Sequence, residues 1–466
     1  MMLDRLPARH APRKYHPISS IVAVLLALAP LLLAACSRPA IPEHHHYSLK
    51  LGLDPAGQHL SVDGELLFLV PNEGMEEAVF FLHRQLDVER IEGDQVLAWG
   101  EDRETEVPRL GMPDARWLKV QFEEPLLEGQ AVRLEFSYQG ELTEWNPLSP
   151  NVLTGDWIEL GLYLPWFPLN DGYGDFTWDL QVLCEEGWEV RSAGDWQRSE
   201  HGEGIDSWQF AWEEPVNDIV VVASPDLKSA SRSEGEIGVD IHYATLTDST
   251  AALMASDMLI ALDAFSGWLQ EDPPGRLAIV ESPRERGGGY ARRGIIVLGG
   301  MEDAAYRGNR EGYYRYLAHE SAHLWWYRAP HHSWEDWLNE GFAEYFALRA
   351  IRDRFGEGAF QRRLEEKRES AQAAPPIRGL DRLDRSTPAK ARGIQAALYD
   401  LAPLLLHQLE EEIGTERFLA VCRDMLEEEA GLTASFLGIL ETRAGQHIAA
   451  VFEAKLASPD PLAISW

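Results

Sequence analysis

The chain has 466 residues, of which 45% are hydrophobic and 25% charged, and its formal net charge is −34. It is too long for one ordinary domain and too apolar to be disordered, so we expect two folded domains. The strong negative charge argues against electrostatic binding to nucleic acid or to anionic lipid headgroups, and we predict no nucleic-acid partner.

The first 35 residues have the pattern of an export signal. Basic residues precede an apolar run from Ile18 to Ala35, and the run ends at Cys36. The sequence L-A-A-C at residues 33–36 resembles the lipobox of bacterial lipoproteins, in which the signal is cut before a cysteine that carries the lipid. This implies an exported lipoprotein, anchored in a lipid bilayer of the bacterial cell envelope through acylated Cys36. An uncleaved transmembrane anchor is the alternative, because about 18 apolar residues are close to the minimum for a spanning helix.

Residues 36–46 are predicted to form a tether between the lipid and the folded part of the chain. They contain two prolines and the run His44, His45 and His46, and they show no hydrophobic periodicity. Three adjacent histidines could capture a metal ion, but in such a segment they are more typical of a linker.

Residues 47–233 are predicted to form a β-rich domain, because apolar and polar residues alternate with a period of two. The alternation is clearest at residues 132–138, 178–184 and 208–212, and pairs such as Asp63-Gly64 are typical of turns. An antiparallel arrangement fits this pattern best. Cys184 and Cys422, the two cysteines after Cys36, lie far apart in sequence, so we expect free buried thiols.

Residues 234–466 are predicted to form a second domain, because the period of the apolar residues changes to that of helices. Residues 258, 262, 265 and 269 form one apolar helical stripe, and two short strands at 277–280 and 295–298 flank a glycine-rich segment. Helices dominate the rest of the chain. The fold class is therefore α+β and multidomain, with an antiparallel β-domain followed by an α/β domain dominated by helices.

The run H-E-S-A-H at residues 319–323 lies on a predicted helix from Tyr314 to Arg328. Histidines four residues apart project from the same face of a helix, close enough for His319 and His323 to hold one cation. Glu320 lies beside that cation, where its carboxylate can take a proton from the attacking water. This pattern also occurs by chance on solvated helices, so a further ligand is needed to support it.

A candidate third ligand, Glu340, lies in the run W-L-N-E-G-F at residues 337–342. Zinc that takes part in catalysis needs three protein ligands and one open position. His319, His323 and Glu340 supply that set, and we predict one zinc ion per chain. Asn339 and Glu344 are the nearest candidates to support these ligands.

Together the two runs resemble the gluzincin metallopeptidases of the aminopeptidase N type, in which H-E-x-x-H is followed by W-L-N-E-G-F with the third zinc ligand. The resemblance covers most of the chain and implies a β-rich domain ahead of a thermolysin-like catalytic domain. It also implies a peptidase that acts on peptide substrates. Sixteen residues separate His323 from Glu340, a shorter interval than is usual in the family.

The family also uses a tyrosine that donates a hydrogen bond to the oxyanion, in a Y-x-K-G run before an apolar helix. Residues 399–402 read Y-D-L-A before such a helix, which makes Tyr399 the candidate. The lysine and the glycine of the family run are replaced by Leu401 and Ala402. A tyrosine beside an apolar helix can also belong to the core.

A third family element, G-x-M-E-N, forms an edge strand that pairs with the substrate and offers a glutamate to its free amino terminus. The matching residues are Gly288, Gly289, Tyr290, Ala291 and Arg292. Backbone pairing with an extended peptide is still expected here. The amine-binding glutamate is replaced by Ala291, which Glu281 or Glu285 could compensate.

The sequence thus predicts a membrane-anchored zinc metallopeptidase, with Glu320 as general base and Tyr399 as oxyanion donor. The missing glutamate leaves two modes of action open, an aminopeptidase and an endo- or oligopeptidase that needs no free amino terminus. A catalytically silent peptide-binding lipoprotein is the third alternative.

Overall fold

The computed structural model describes residues 43–466, except 106, 108–113, 146–148, 171, 236, 274–275 and 285–287. The predicted signal, Cys36, most of the tether and Glu285 therefore lie outside the described residues. From His44 to Trp466 the chain forms one compact unit.

The first half of this unit is built of strands, as the alternating residues predict. These strands are β1 His45–Asp54, β2 His59–Leu69, β3 Met75–His83, β4 Asp87–Gly93, β5 Val96–Asp102, β6 Ala115–Leu126, β7 Ala131–Glu141, β8 Val152–Leu153, β9 Ile158–Leu160, β10 Leu169–Asn170, β11 Phe176–Glu185, β12 Glu189–Arg191, β13 Trp196–Gly202, β14 Ile205–Val216 and β15 Val221–Ser224. They form a seven-stranded sheet in the order β13-β14-β11-β1-β2-β7-β4 and two four-stranded sheets. The described pairs are antiparallel except for β1 with β11.

The second half begins with a mixed sheet and continues with helices. Its strands are β16 Lys228–Glu234, β17 Ile237–Tyr243, β18 Arg276–Glu281, β19 Tyr290–Arg292 and β20 Ile295–Leu298, in the order β16-β17-β18-β20-β19. Its helices are α1 Asp248–Leu269, α2 Asp303–Gly308, α3 Arg310–Ala322, α4 Trp337–Phe355, α5 Glu357–Ala371, α6 Pro388–Gln395, α7 Ala402–Ile413, α8 Thr415–Glu427, α9 Thr433–Ala444 and α10 Gln446–Ala457. The predicted fold class, a β-sheet domain followed by a helical domain, is confirmed.

The buried hydrophobic residues form two clusters. One joins the β-sheets of the first half with one face of the mixed sheet, including Val280, Ile295 and Val297, and the other joins α1, further residues of the mixed sheet and the later helices. The hairpin of β16 and β17 belongs to the mixed sheet, while the exact boundary between the domains stays a prediction. Cys184 lies in the first core and Cys422 in the second, and both are free thiols, as predicted.

Among the described residues, one helix is long and apolar enough to cross a bilayer, Asp248–Leu269. Half of its apolar window is buried inside the protein. Its buried face includes Met254, Met258 and Phe265, which belong to the core of the second half. A long apolar helix is also typical of a protein core, and α1 packs in the core of the second half.

Two local predictions differ from the structure. Asp63-Gly64, predicted as a turn, lies within strand β2. A Cβ atom on Gly64 would overlap a methyl carbon of Leu49 on the neighbouring strand, so the glycine permits close strand packing. Strand β1 begins at His45, two residues earlier than predicted. The ring of His45 stacks on Phe68 and bonds to backbone groups, which draws this end of the predicted tether into the sheet.

Candidate active site

The H-E-S-A-H run ends helix α3, whereas the sequence predicts a helix that continues to Arg328. After Ala322 the chain turns tightly, with the amides of Leu324 and Trp325 donating three residues back. Burial of Trp325 and Trp326 in the core stabilises this turn in place of a further helical turn. His323 is thus the C-cap residue of α3, and the chain reaches α4 through a short loop.

The predicted metal ligands meet at one point between α3 and α4. The Nε2 atom of His319 lies 3.4 Å from Oε2 of Glu340, and Nε2 of His323 lies 3.5 Å from the same oxygen. One ligand atom from each residue lies within 4.8 Å of the other two. Within the described part of the chain, this is the one such cluster of three or more potential metal ligands.

The remaining contacts of the two histidines fix which ring nitrogen faces the cluster. Nδ1 of His319 lies 3.0 Å from a carboxylate oxygen of Glu344, and Nδ1 of His323 lies 2.9 Å from the carbonyl oxygen of Trp326. Since both neighbours are acceptors, each Nδ1 carries the proton and each Nε2 is the nitrogen available for a metal.

The buried Oε2 of Glu340 has no hydrogen-bond donor among the described residues. Burial alone would raise the pKa of Glu340, but the two histidines outweigh burial and hold that pKa well below its usual value. Burial likewise lowers the pKa of His319, but Glu340 and Glu344 outweigh it and raise the pKa to about 10. The pocket therefore stabilises positive charge where the three atoms meet. Two imidazoles and one carboxylate are a zinc donor set, so the geometry supports the predicted single zinc ion.

Glu344 orients His319, as the sequence suggested, and is itself held by two cations. It is 1% exposed and lies 2.6 Å from Nη1 of Arg315 and 2.7 Å from Nζ of Lys367. The same Nζ donates to the carbonyl oxygen of Tyr399 at 2.7 Å. Sequence reasoning missed both cations, because they lie on α3 and α5 and no local spacing connects them with Glu344.

Asn339 supports the site in another way. Its Oδ1 accepts from the amide of Ala329 at 3.0 Å, and its Nδ2 donates to the carbonyl oxygen of Ala329 at 2.9 Å and to Asp336 at 3.0 Å. It therefore fixes the short loop between the two ligand helices, and it does not contact the ligands.

Glu320 lines a cavity of about 660 Å³, here called the catalytic cleft, together with His319, Tyr399, Gly288 and Gly289. Burial raises the pKa of Glu320, although the two histidines oppose this effect. Gly289 packs directly on it, since a Cβ atom there would lie 2.9 Å from Cδ of Glu320. Glu320 makes no hydrogen bond or ion pair with the described residues, which leaves its carboxylate free to accept a proton.

Tyr399 lies in a π-helical turn, Ala396–Leu401, immediately before α7. Its ring centroid is 5.7 Å from that of His319, and the side chain is half-buried in the wall of the cleft. Burial, with a further contribution from Glu340, raises the pKa of Tyr399 well above its usual value, so the phenol keeps its proton. It can therefore donate a hydrogen bond into the cleft.

Strand β19 is an edge of the mixed sheet and begins at Tyr290, one of the three predicted substrate-binding residues. Gly288 and Gly289 line the cleft just before this strand. The side chain of Tyr290 points elsewhere: it is buried against the ring of Tyr163, and its hydroxyl accepts from Asn151 at 3.2 Å. Only the backbone of Tyr290 is left for pairing with a peptide.

Of the two acids expected to compensate for Ala291, Glu285 lies outside the described residues and Glu281 is not free. Glu281 accepts from the amides of Ala244 and Thr245 at 2.9 and 3.0 Å, and from the hydroxyl of Thr245 at 2.6 Å. These three hydrogen bonds hold the loop after β17 in place. The positive charge of Arg292 is balanced by Asp218, whose Oδ2 lies 2.9 Å from its Nε.

The sequence matches no protein-family model and no curated protein. The structure is similar to the M1 zinc metallopeptidase from Deinococcus radiodurans, with a TM-score of 0.70 and 18% identity over 89% of this chain and 94% of that one. A glutamate-to-alanine mutant of that enzyme bound to a Tyr-Ser-Ala substrate gives a TM-score of 0.69 at 19% identity, covering 88% and 94% of the two chains.

A mutant two-domain M1 zinc metallopeptidase bound to L-arginine gives a TM-score of 0.69 at 18% identity, over 90% of this chain and 95% of the other. The order of a β-domain and a helical domain in this chain therefore matches that of two-domain M1 zinc metallopeptidases, and the chain shares their fold.

Proposed function

We propose that this protein is a zinc metallopeptidase that hydrolyses peptide bonds. The observation that carries the proposal is the convergence of His319, His323 and Glu340 on one point, with the unpaired carboxylate of Glu320 beside it in the cleft. A catalytically silent peptide-binding protein would be expected to lack a ligand or the base. Here all four groups are present and are brought together, which favours the enzyme.

Zinc held by these ligands would supply a Lewis acid for the scissile carbonyl and for the attacking water. Glu320 takes the proton of that water and later passes it to the leaving amine. Tyr399 donates a hydrogen bond to the oxyanion, and the backbone at Gly288 and Gly289 aligns the extended peptide.

We further infer that the enzyme does not require a free amino terminus. A peptide ammonium bound in a closed site needs an unpaired carboxylate as its partner. Of the acids that line the cleft, Glu344, Glu366 and Asp400 each lie within 4 Å of a basic side chain, and Glu320 is the base. These observations support an oligopeptidase or endopeptidase over a strict aminopeptidase.

The proposed activity is tested by incubating purified protein with a set of unmodified peptides and measuring its zinc content in the same sample. We expect about one zinc per chain and cleavage of internal peptide bonds that chelation abolishes and added zinc restores. Protein purified without chelator that holds no zinc, or zinc-loaded protein that cleaves none of the peptides, would contradict the proposal.

We also propose that the protein is exported and anchored in a membrane of the bacterial cell envelope through lipid on Cys36. The sequence L-A-A-C after an apolar run supports this. In cells supplied with a labelled fatty acid, we expect the wild-type protein to carry label. We expect the Cys36→Ala variant to stay unlabelled with its signal uncut. Label on that variant would refute the proposal.

A further inference from the structure

The charged side chains of the catalytic cleft are almost all paired with one another. Arg315 and Lys367 pair with Glu344, and Arg363 pairs with Glu366 at 2.9 Å. Although the whole chain has a net charge of −34, the cleft is lined by four basic and four acidic side chains. The local charge of the cleft therefore differs from that of the protein as a whole.

Arg385 is the exception among the basic groups. Its side chain lines the cleft, and its guanidinium makes no hydrogen bond or ion pair with any described residue. Burial and the neighbouring Arg382 lower the pKa of Arg385, and the smaller opposing effects of Tyr399, Asp336 and Glu340 do not offset them. A guanidinium remains charged nonetheless, and its planar fork fits a carboxylate.

Residues 381–385, the segment that carries Arg385, are bonded to the start of α4, the helix that carries Glu340. Nε of Arg382 donates to Oδ2 of Asp336 at 2.7 Å, and both side chains are buried. Asp336 immediately precedes α4 and also accepts from Asn339. Asp381 accepts from the amides of Leu383 and Asp384, which tightens the segment further. Arg385 therefore projects from a fixed support.

A second feature of the segment also points to an anion. Nη1 of Arg382 is buried and has no hydrogen-bond partner among the described residues. Buried donors normally have a partner, and an unpartnered one costs free energy. Asp336 is the one carboxylate paired with Arg382 among the described residues, and Arg385, three residues on, has none.

We propose that Arg385 binds a carboxylate of the substrate peptide, and that Arg382 positions the segment that presents it. This rests on the proposed peptidase function and gives it a substrate class: peptides with a carboxylate within reach of the cleft. The carboxylate could come from the C-terminus or from an acidic side chain. A charge-assisted pair of this kind is expected to change binding by about tenfold to a hundredfold.

The test uses four matched peptides of the same length. Two differ only in carrying a free or an amidated C-terminus, and two amidated ones differ only in carrying Glu or Gln at one position. In one of the two pairs, we expect the wild-type protein to have a kcat/KM about tenfold or more higher for the peptide that carries the additional carboxylate. The difference should arise mostly from a lower KM. The pair that shows the preference identifies the source of the carboxylate.

Arg385→Gln should abolish that preference, mostly by raising KM for the peptide that carries the carboxylate. Arg392→Gln is the matched control, because Arg392 is exposed on α6, loses the same charge and does not line the cleft. Zinc content and melting temperature of each variant show whether it is folded. Equal kcat/KM within both pairs for the wild-type protein would overturn the proposal, and so would a preference that survives in Arg385→Gln.

Binding measured by calorimetry separates this proposal from the proposed function. The same peptides are titrated into the zinc-loaded Glu320→Gln variant, alone and combined with Arg385→Gln. If the wild-type protein cleaves no peptide, the peptidase proposal fails, but a carboxylate-dependent Kd that is lost with Arg385 would still support the inference. If peptides are cleaved and Kd is the same with and without the carboxylate, the inference fails and the peptidase stands.

Discussion

The two walls of the catalytic cleft differ in how far they match the aminopeptidase N type. On the helical wall, α3 and α4 bring together the ligands His319, His323 and Glu340 and the base Glu320. On the strand wall, Gly288 and Gly289 lie just before β19, an edge strand, and Ala291 stands where the aminopeptidase N type has its amine-binding glutamate. The proposed zinc ligands and base thus lie on other elements than the residue expected to set the end preference, so one set can change without the other.

The largest loss of activity is expected from Glu320→Gln, on the helical wall of the cleft. The amide keeps the size of the side chain but cannot accept the proton of water, so we expect kcat to fall by about 10²- to 10⁴-fold while zinc stays bound. Steady-state kinetics on zinc-quantified protein checks this. Glu441→Gln, on the exposed face of α9, is the control and should be silent. Substantial turnover in the zinc-loaded variant would assign proton transfer to another group.

Tyr399→Phe tests the proposed oxyanion donor in the wall of the catalytic cleft. Deleting one oxyanion donor usually lowers kcat by about 10²- to 10³-fold, and we expect KM to change little. Tyr313→Phe is a matched control, since its hydroxyl bonds to the carbonyl oxygen of Gly300 and does not line the cleft. A kcat close to that of the wild type would return Tyr399 to the role of a core residue.

Glu344→Gln should weaken the metal site without removing a ligand. His319 loses the carboxylate that orients it, and such changes typically lower zinc affinity by about 10- to 100-fold. The variant also leaves Arg315 and Lys367 without their shared buried counter-charge, so its melting temperature should fall. Competition with a metal-binding dye measures the affinity.

Glu410→Gln separates these two effects. Glu410 is also buried and paired with an arginine, Arg349, but it lies away from the ligands. We expect this variant to lose stability and to keep its zinc affinity. If both variants lost zinc equally, the effect of Glu344 would be one of stability alone.

The smallest effect is expected on the strand wall. Blocking the amino terminus of a peptide by acetylation should lower kcat/KM by less than about tenfold, because Glu320, the proposed base, is the one unpaired carboxylate among the described cleft residues and none is left to bind an ammonium. Matched free and acetylated peptides decide the matter. A penalty of about 10³ or more would show that an amine anchor persists.

Sequence reasoning was most successful where function depends on local spacing. His319 and His323 lie four residues apart on one helix, and their convergence follows from helix geometry. Glu340 could be proposed only because zinc needs a third ligand and because the surrounding run resembles a known family. The periodicity of apolar residues along the chain gives no information on the distance between two helices.

The groups that were missed lie on parts of the chain distant in sequence from the predicted ligands. Lys367 reaches Glu344 from another helix, and Arg385 lines the same cleft as His319. The end of α3 was misplaced because the pattern of apolar residues continues to Trp326, where core burial favours a turn over a further helical turn. In the β-rich half, alternation predicted β7, β11 and β14, but a glycine that permits close strand packing was mistaken for a turn.

Lys367 has a further consequence for how the site works as a unit. One ammonium group bonds both to the carboxylate that orients His319 and to the backbone of Tyr399. The ammonium of Lys367 therefore contributes both to the position of His319 and to that of Tyr399. Its contributions to the two cannot be measured separately. We therefore expect metal retention and the proposed oxyanion stabilisation to be linked through this side chain, so that the costs of substitutions at Glu344 and Tyr399 should not simply add.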